Sequence, residues 1–246
     1  MKDIDLQGHR GTRGWRPENT LPAFEHALAI GVTTLELDIG MTRDGVVVVH
    51  HDRLLGRTSR GVGAVRDRTA EELATFDVPT LRAVLERYPH AKIIVELKEA
   101  SDGLARAAIE EVRRARAAAR VWFGSFSTRA LRAVRRIDPG MATSAGRMEV
   151  RLALYRSWVG LSPSRAPYRA LQVPETSGVT RVVSPRFVRL AHKAGVVVQV
   201  WTVDDPDDIR RLLEWGVDGI ITDRPDVAVA IAREWMSTRS PGVDRP

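Results

Sequence analysis

Strand-like and helix-like segments alternate along almost the whole of this 246-residue chain. Strands are predicted where short apolar runs occur, and helices where apolar residues recur at intervals of three and four. About eight strands, each followed by a helix, are the pattern of a (β/α)₈ barrel of the TIM type. An open doubly wound sheet is the alternative, but no G-x-G-x-x-G motif opens the first helix. We therefore predict an α/β protein with a single barrel over residues 1–239 and a disordered tail at 240–246.

One interruption of the alternation follows the second strand. Asp44-Gly45 is a hairpin signal, and residues 46–49 are apolar enough for a short return strand. A loop-like stretch at 53–80 with a small helix at 71–75 completes a small predicted insertion. The barrel strands are expected at 4–9, 33–39, 92–97, 120–125, 141–145, 169–173, 196–201 and 218–222. The main helices are expected from Leu21 to a stop at Gly31, at 81–88, 102–118, 127–137, 148–157, 184–194 and 206–215, and in a last segment ending near Met236.

Glu36 and Asp38 stand two residues apart in the second predicted strand. Side chains alternate between the two faces of a strand, so both carboxylates share one face while Leu35, Leu37 and Ile39 share the other. Such a pair repels itself unless a cation or a proton lies between the two groups. Oxygen ligands suit magnesium or calcium, so a metal site is one interpretation. The alternative is that both carboxylates line the solvated face of an edge strand.

Further polar residues follow other predicted strands. Glu96 and Lys98 share a face at the end of the third strand, as Glu36 and Asp38 do at the end of the second. In a TIM-type barrel, the C-terminal strand ends and the loops after them form one rim, where active sites lie. We therefore expect the polar residues at these strand ends to converge there. They are His9, Arg10, Glu36, Asp38, His51, Glu96, Lys98, Gln199, Trp201 and Asp223.

The composition limits the partners. The chain has 38 basic and 31 acidic residues, for a net charge of +7, and no cysteine. The absence of cysteine excludes cysteine nucleophiles, disulfides and thiolate zinc sites. The basic residues are dispersed, and the densest run, 106–120, alternates with apolar residues at helical spacing, so its arginines fall on an outward face. We therefore expect a small-molecule substrate and no nucleic-acid partner.

Membrane signals are absent from the sequence pattern. The segment Met1–Asp5 carries charge where a signal peptide has an apolar run, and no stretch approaches the ~20 apolar residues of a membrane span. No segment shows the pattern of an obvious amphipathic membrane helix. These features predict a cytoplasmic protein without integral membrane association, and they give no indication of the oligomeric state.

A series of short motifs follows one another in a defined order. The motifs are His9-Arg10-Gly11, Pro17-Glu18-Asn19-Thr20, Glu36-x-Asp38, Thr42-x-Asp44-Gly45, His51-Asp52, Arg57-Thr58, Glu96-x-Lys98, Ser125-Phe126, Trp201-Thr202 and the closing stretch 217–225. In order and spacing, this set resembles the glycerophosphodiester phosphodiesterase family over nearly the whole chain. The resemblance implies a (β/α)₈ barrel that uses a divalent metal to hydrolyse glycerophosphodiesters to glycerol 3-phosphate and an alcohol.

The same resemblance implies the metal ligands and the catalytic groups. Glu36, Asp38 and Glu96 are expected to bind the divalent metal, either Mg or Ca. His9 and His51 are expected to be the catalytic base and acid, because an imidazole has a pKa near neutrality. The attacking oxygen is either a glycerol hydroxyl, which forms a cyclic intermediate that water then opens, or water itself.

Three more residues are expected to contact the substrate. Arg10 offers a bidentate fork to the phosphate, and Lys98 offers a point charge. Trp201 either stacks on the glycerol or plugs the barrel mouth. The neighbouring His50 is expected to be structural, and Asp223 either joins the site or caps the last helix.

Two other classes of function stay open. One is a lysophospholipase D or a sphingomyelinase-like lipid phosphodiesterase of similar architecture, which requires an apolar groove and a membrane-facing surface. The other is a non-catalytic barrel that binds phosphodiesters without cleaving them. Such a protein is expected to have lost an acid, a base or a metal ligand, and all of these residues are present.

Overall fold

The computed structural model describes residues 4–163 and 166–239. The strands of this part of the chain are β1 (Asp5–His9), β2 (Thr34–Met41), β3 (Val47–Val49), β4 (Lys92–Leu97), β5 (Val121–Gly124), β6 (Ala142–Thr143), β7 (Ala170–Pro174), β8 (Thr176–Ser177), β9 (Thr180–Arg181), β10 (Val197–Trp201) and β11 (Gly219–Thr222). The predicted tail at 240–246 lies outside the described residues.

Eight of these strands form a parallel barrel. Their order is β6-β5-β4-β2-β1-β11-β10-β7, and every pair of neighbours in it runs parallel. A parallel bridge between Ser144 and Ala170 joins the two ends of this order, and the Ala145 N–H donates to the Ala170 carbonyl at 2.8 Å. The predicted TIM-type barrel is therefore confirmed.

Helices connect the barrel strands on the outside. They are α1 (Leu21–Ile30), α2 (Ala70–Ala74), α3 (Leu81–Arg87), α4 (Asp102–Arg114), α5 (Thr128–Ile137), α6 (Arg147–Trp158), α7 (Pro185–Lys193), α8 (Pro206–Glu214) and α9 (Pro225–Arg239). Most of them begin at a side chain whose oxygen accepts a hydrogen bond from the first turn, which satisfies a free backbone N–H. These capping residues are Thr20, Thr69, Thr80, Ser101, Ser127, Ser184 and Asp205.

The apolar core lies between the barrel and the helices. Leu35, Leu37 and Ile39 of β2 are fully buried in it, together with the apolar residues of β4 on the same side of the sheet. Because faces alternate along a strand, Glu36 and Asp38 point to the opposite side, which is the interior of the barrel. The assignment of faces made from the sequence is thus confirmed.

The predicted insertion after the second barrel strand is also confirmed. β3 pairs antiparallel with β2 around a turn in which Gly45 has a φ of 78°. A short 3₁₀ helix, Val65–Asp67, and α2 follow. These elements bury a small hydrophobic cluster of their own, which consists of Val48, Leu55, Val65, Leu73 and Val78. The insertion therefore holds the loop that follows β3 against the rim of the barrel.

Two elements differ from the sequence prediction. The helix expected at 102–118 ends at Arg114, because Arg116 adopts a left-handed conformation with a φ of 52° and the chain turns there. The hairpin of β8 and β9 was not predicted. Its strands have two residues each, which is too short for an alternating pattern to be recognised.

Across residues 4–163 and 166–239, no helix combines the length and the apolar character that a membrane span requires.

Candidate active site

Three carboxylates converge at the C-terminal rim of the barrel. Asp38 on β2 is the register partner of Glu96 on β4, and Glu36 lies two residues before Asp38. One oxygen from each of Glu36, Asp38 and Glu96 lies within 4.8 Å of the others. Burial, together with the charges of Asp38 and Glu96, raises the pKa of Glu36 well above its ordinary value, and burial also raises the pKa of Glu96. Buried oxygen ligands at this spacing fit a hard divalent cation such as Mg²⁺ or Ca²⁺.

Two cations lie against the carboxylates. Lys98 Nζ is 3.1 Å from Asp38 Oδ1 and 3.1 Å from Glu96 Oε1, and Arg10 Nε is 3.1 Å from Asp38 Oδ2. Burial lowers the pKa of Lys98, but Asp38 and Glu96 outweigh that effect and raise it above its ordinary value. Lys98 therefore stays cationic, and the Arg10 guanidinium places a second positive charge beside the same carboxylates, where a phosphate group would also require it.

The backbone after β1 is shaped to bring Arg10 into the site. Arg10 is in the left-handed region with a φ of 53°, and its N–H donates to Glu36 Oε2 at 3.1 Å. Gly8 and Gly11 allow this turn, because a Cβ on Gly8 would stand 2.4 Å from the Gly11 carbonyl oxygen. The sharp turn that the glycines beside His9 and Arg10 indicated is thus present.

His9 is held by a carboxylate that directly follows the last barrel strand. Its Nδ1 lies 2.6 Å from Asp223 Oδ1, and its Nε2 points towards the carboxylates, 4.0 Å from Glu36 Oε2. Arg13 also contacts Asp223, with Nη1 at 3.4 Å from Oδ2. The contact with His9 supports the interpretation that Asp223 belongs to the site, and not the interpretation that it only caps the last helix.

His51 is held in the same manner on the opposite loop. Its Nδ1 lies 2.6 Å from Asp52 Oδ1, and Arg57 Nε lies 2.6 Å from Asp52 Oδ2. The hydrogen bond from Arg57 lowers the pKa of Asp52 well below its ordinary value, so Asp52 is an anion. Burial lowers the pKa of His51 despite the opposing effect of Asp38 and Asp52. The ring is therefore neutral at pH 7, with Nδ1 as the donor to Asp52.

His50 has a different environment from its neighbour. It is buried, and its Nδ1 lies 2.8 Å from the Asp52 carbonyl oxygen while its Nε2 lies 3.4 Å from Thr58 Oγ1. Both ring nitrogens thus contact the loop itself, as expected for a structural histidine.

Glu18 and Asn19 were members of a motif but were not predicted as site residues. Asn19 Nδ2 donates to Asp38 Oδ2 at 2.9 Å, and the Asp38 N–H donates to Asn19 Oδ1 at 3.3 Å. Glu18 accepts from Arg10 at 2.9 Å and from Arg57 at 2.5 Å. Burial raises the pKa of Glu18, but Arg57 and Arg10 lower it to about 2. One sequence signal could have identified Glu18 and Asn19 as site residues. Both lie in the loop between the first strand and the first helix, and loops of this kind carry the site in a TIM-type barrel.

A cavity of about 880 Å³ opens over these groups. The predicted site residues that line it are His9, Arg10, Glu36, His51, Glu96, Lys98 and Trp201. Asp38 lies beneath them and is 1% exposed. The Trp201 ring packs edge-on against Phe126, with the ring centres 5.4 Å apart. The structure therefore brings all eight predicted site residues to one rim.

The opposite wall of the cavity comes from α6. Val150, Leu154, Tyr155 and Trp158 line it, together with two arginines. This wall is apolar and aromatic, whereas the floor is charged. A ligand that fills the cavity thus meets charged groups at one end and apolar side chains at the other.

The site defines a class of enzyme more sharply than the barrel does, because a TIM-type barrel hosts many chemistries. Clustered carboxylates, two histidines bound to carboxylates, and cations directed at the same cavity are what the hydrolysis of a phosphate ester requires. The site is that of a barrel hydrolase acting on phosphate esters. The non-catalytic alternative finds no support here, because no member of this set is missing or turned away.

Comparisons with known proteins narrow this class. The profile of the glycerophosphoryl diester phosphodiesterase family matches residues 9–227. A Mycobacterium tuberculosis protein named "Probable glycerophosphodiester phosphodiesterase 2" is 38% identical, over 92% of this chain and 91% of that protein. A glycerophosphodiester phosphodiesterase of Bacillus altitudinis is 32% identical, over 92% of this chain and 97% of that protein. The chain belongs to the glycerophosphodiester phosphodiesterase family and is a phosphoric diester hydrolase.

Solved structures agree with this assignment. The glycerophosphodiester phosphodiesterase of Agrobacterium tumefaciens is 27% identical with a TM-score of 0.78, over 95% of this chain and all of that one. A phosphodiesterase of Oleispira antarctica, solved in complex with the product sn-glycerol-3-phosphate, has the same fold, with a TM-score of 0.75 at 21% identity. That alignment covers 93% of this chain and 96% of the other.

Proposed function

We propose that this enzyme hydrolyses glycerophosphodiesters to glycerol 3-phosphate and an alcohol with a divalent metal, Mg²⁺ or Ca²⁺, held by Glu36, Asp38 and Glu96. The observation that carries the proposal is the convergence of these three carboxylates, within 4.8 Å, beside His9 and Lys98. The complex of the Oleispira antarctica phosphodiesterase with sn-glycerol-3-phosphate supports the same product class. When bound, the metal supplies neutralising charge to the nonbridging oxygens of the phosphate.

Arg10 and Lys98 add positive charge to the same phosphate. Both line the cavity, and both already contact Asp38, so a phosphate beside the carboxylates comes within reach of either side chain. Arg10 presents a planar fork that suits two phosphate oxygens, and Lys98 presents a single ammonium. Because negative charge builds on these oxygens during displacement at phosphorus, both cations lower the barrier. Trp201 offers its ring at the mouth to the glycerol carbons.

His9 and His51 move the protons. The carboxylate at each Nδ1 fixes the tautomer, so each Nε2 is the nitrogen available to substrate. One histidine takes the proton of the attacking hydroxyl, and the other gives a proton to the oxygen of the leaving alcohol. The P–O bond to the alcohol breaks as the new P–O bond forms. The attacking oxygen is a glycerol hydroxyl, followed by water in a second step, or water directly, and both routes use the same pair.

The product of the reaction tests this assignment. Phosphorus NMR of the purified enzyme with a panel of glycerophosphodiesters is expected to show glycerol 3-phosphate as the phosphorus-containing product. Chelation is expected to stop its formation. A phosphorylated alcohol as product would mean that the opposite P–O bond breaks, and it would contradict the proposal.

A second candidate substrate is a lysophospholipid, which is a glycerophosphodiester that keeps one acyl chain. The observation that favours it is the apolar wall of Val150, Leu154, Tyr155 and Trp158, which a deacylated diester leaves uncovered. Burying each methylene group contributes about 0.8 kcal/mol. A rise of kcat/KM with acyl chain length, measured below the micelle concentration, is expected if this wall receives the chain. A flat series would limit the enzyme to deacylated diesters.

A further inference from the structure

Helix α6 is apolar on two sides. Ala153 and Leu154 on its inner side are buried against the barrel. On its outer side, the exposed residues from 147 to 159 are Arg147, Met148, Arg151, Leu152, Tyr155, Trp158 and Val159. A helix that is apolar all round is normally covered on all sides. Among the described residues, no protein element covers the outer side, where Met148 and Leu152 are each 61% exposed and Val159 is 71% exposed.

The charges on this outer face all have one sign. Arg147 and Arg151 are its charged residues, and Glu149 is turned aside into an ion pair with Arg135 at 2.6 Å. Arg186 is a further exposed arginine, and it lies near the C-terminal end of the helix. Its Nη2 is 3.1 Å from the position that a Cβ on Gly160 would take. An apolar patch surrounded by positive charge complements an anionic bilayer, which has an apolar interior and a negatively charged surface.

The aromatic residues of the face fit the same partner. Tyr155 and Trp158 lie side by side with their ring centres 5.1 Å apart, and both are more than half exposed. Tyrosine and tryptophan are the residues that favour the boundary between headgroups and acyl chains. Arginine stems can lie along the apolar layer while the guanidinium groups stay at the phosphates.

A second copy of the chain fits this face less well. In a two-fold symmetric dimer the same patch would face itself, so the Arg147 and Arg151 guanidinium groups of one copy would approach those of the other. No acidic residue among the exposed ones on this face is present to pair with them. An anionic lipid surface, in contrast, neutralises every arginine that the face presents.

The face also borders the catalytic cavity. Arg147, Arg151, Tyr155 and Trp158 belong both to the exposed face and to the lining of the cavity. We propose that the exposed face of α6 docks on anionic lipid bilayers and brings the mouth of the cavity to the membrane surface. This docking goes beyond the proposed reaction and does not depend on it. The proposal also revises the expectation from the sequence that no segment forms an amphipathic membrane helix. Apolar residues lie on both sides of the segment 148–158, so the sequence pattern alone did not show which side is buried and which is exposed.

Sedimentation with vesicles tests the docking. The full chain is mixed with vesicles of phosphatidylcholine containing phosphatidylglycerol, and in parallel with vesicles of phosphatidylcholine alone. We expect partition onto the anionic vesicles that weakens in 1 M salt, because salt screens the arginines. A variant with Met148→Ser, Leu152→Ser and Val159→Ser is expected to lose at least about tenfold in partition, because three apolar side chains no longer enter the lipid.

The three substituted positions do not line the cavity, so the variant is expected to hydrolyse a water-soluble glycerophosphodiester at the rate of the wild type. Val62→Ser is the control, since Val62 is 78% exposed and belongs to the insertion and not to α6. Its partition is expected to equal that of the wild type. In a second arm, Arg147→Gln is expected to weaken binding about fivefold on anionic vesicles, on the scale of one basic residue near the membrane, and not on neutral ones.

Three results would overturn the proposal. They are no partition onto anionic vesicles, equal partition of the triple variant and the wild type, and a dimer by light scattering that the triple variant converts to a monomer. The last result would show that a second copy of the chain covers the face. Hydrolysis of the soluble substrate is measured in every sample, so a failure of docking stays distinguishable from a failure of the proposed reaction.

Discussion

His9 and Asp223 are 214 residues apart in the sequence, yet His9 Nδ1 lies 2.6 Å from Asp223 Oδ1. Closure of the barrel brings them together, because β1 pairs with β11 and the register places Gly8 opposite Thr222. The contact fixes which nitrogen of His9 faces the cavity. Asp223 therefore positions a proposed catalytic group without touching the substrate itself.

Replacing Asp223 with asparagine tests this positioning role. The amide keeps the shape of the carboxylate but loses its charge, so His9 is free to adopt the other tautomer, and kcat is expected to fall by about 10² or more. KM is expected to stay near its wild-type value, because Asp223 does not touch the substrate. Asp226→Asn in the first turn of α9 is the control, because Asp226 pairs with Arg224 at the surface. An unchanged kcat in Asp223→Asn would show that the contact is only structural.

His51 supplies a second prediction, on protonation. Burial lowers the pKa of its ring below the ordinary value of 6.5. The folded state therefore resists protonation more than the unfolded chain does, so His51 stays neutral at pH 7 and its contribution to stability falls as the pH drops below 6.5. NMR titration of the metal-free protein is expected to give a midpoint below 6.5 for this ring. In Asp52→Asn the midpoint is expected to fall further, because Asp52 favours the protonated ring. A midpoint above the ordinary value in the wild type would contradict this account.

Lys98 is predicted to serve the substrate and not the metal. Lys98→Met keeps the apolar stem and removes the charge, so a loss of transition-state stabilisation of about 2–4 kcal/mol in kcat/KM is expected. Metal affinity, measured by calorimetry, is expected to hold or to rise because a nearby positive charge is gone. Lys92→Met is a matched control, since Lys92 lies exposed at the other end of the same strand. A Lys98→Met variant that binds the metal more weakly but turns over normally at saturating metal would instead show that Lys98 organises the carboxylates.

Glu18 is predicted to link stability to pH. Its pKa falls from 4.5 to about 2 in the folded protein because Arg57 and Arg10 pair with its anion. A lowered pKa stabilises the fold above pH 4.5, and this contribution disappears as the pH falls towards 2. Glu18→Gln is expected to cost on the order of 2 kcal/mol at pH 7, because Arg10 loses the charge of a buried partner. Urea unfolding from pH 7 to pH 3 checks this, since the difference from the wild type should narrow towards acid. A difference that stays constant with pH would mean that the anion is not the stabilising form.

Local patterns were sufficient to predict the barrel and the convergence of the polar residues at its strand ends. The two-residue spacing of Glu36 and Asp38, and of Glu96 and Lys98, determines which side chains share a face, whatever the rest of the chain does. The contacts between distant segments were not predictable in this way. The pairing of His9 with Asp223 depends on the register between the first and last barrel strands, and no periodicity encodes that register. Glu18 was missed for a similar reason, because its three arginine partners come from two different loops.

The surface of α6 shows a second limit of sequence patterns. Apolar residues at helical spacing predict that a face is buried, and Leu154 is buried as this rule requires. Leu152 obeys the same spacing rule but remains exposed on the outer side of the helix. Periodicity describes which residues share a face, whereas the neighbouring elements of the barrel decide which face the protein covers.

The metal dependence of hydrolysis tests the central claim most directly. The rate of glycerol 3-phosphate formation is measured in the metal-stripped enzyme while Mg²⁺ or Ca²⁺ is added stepwise. We expect no turnover without metal, saturable recovery with it, and a weaker apparent affinity in Glu96→Gln, because one of three carboxylate ligands has lost its charge. Glu86→Gln, at an exposed position, is expected to match the wild type. Full turnover in the metal-stripped enzyme would contradict the assignment of Glu36, Asp38 and Glu96 as a metal site.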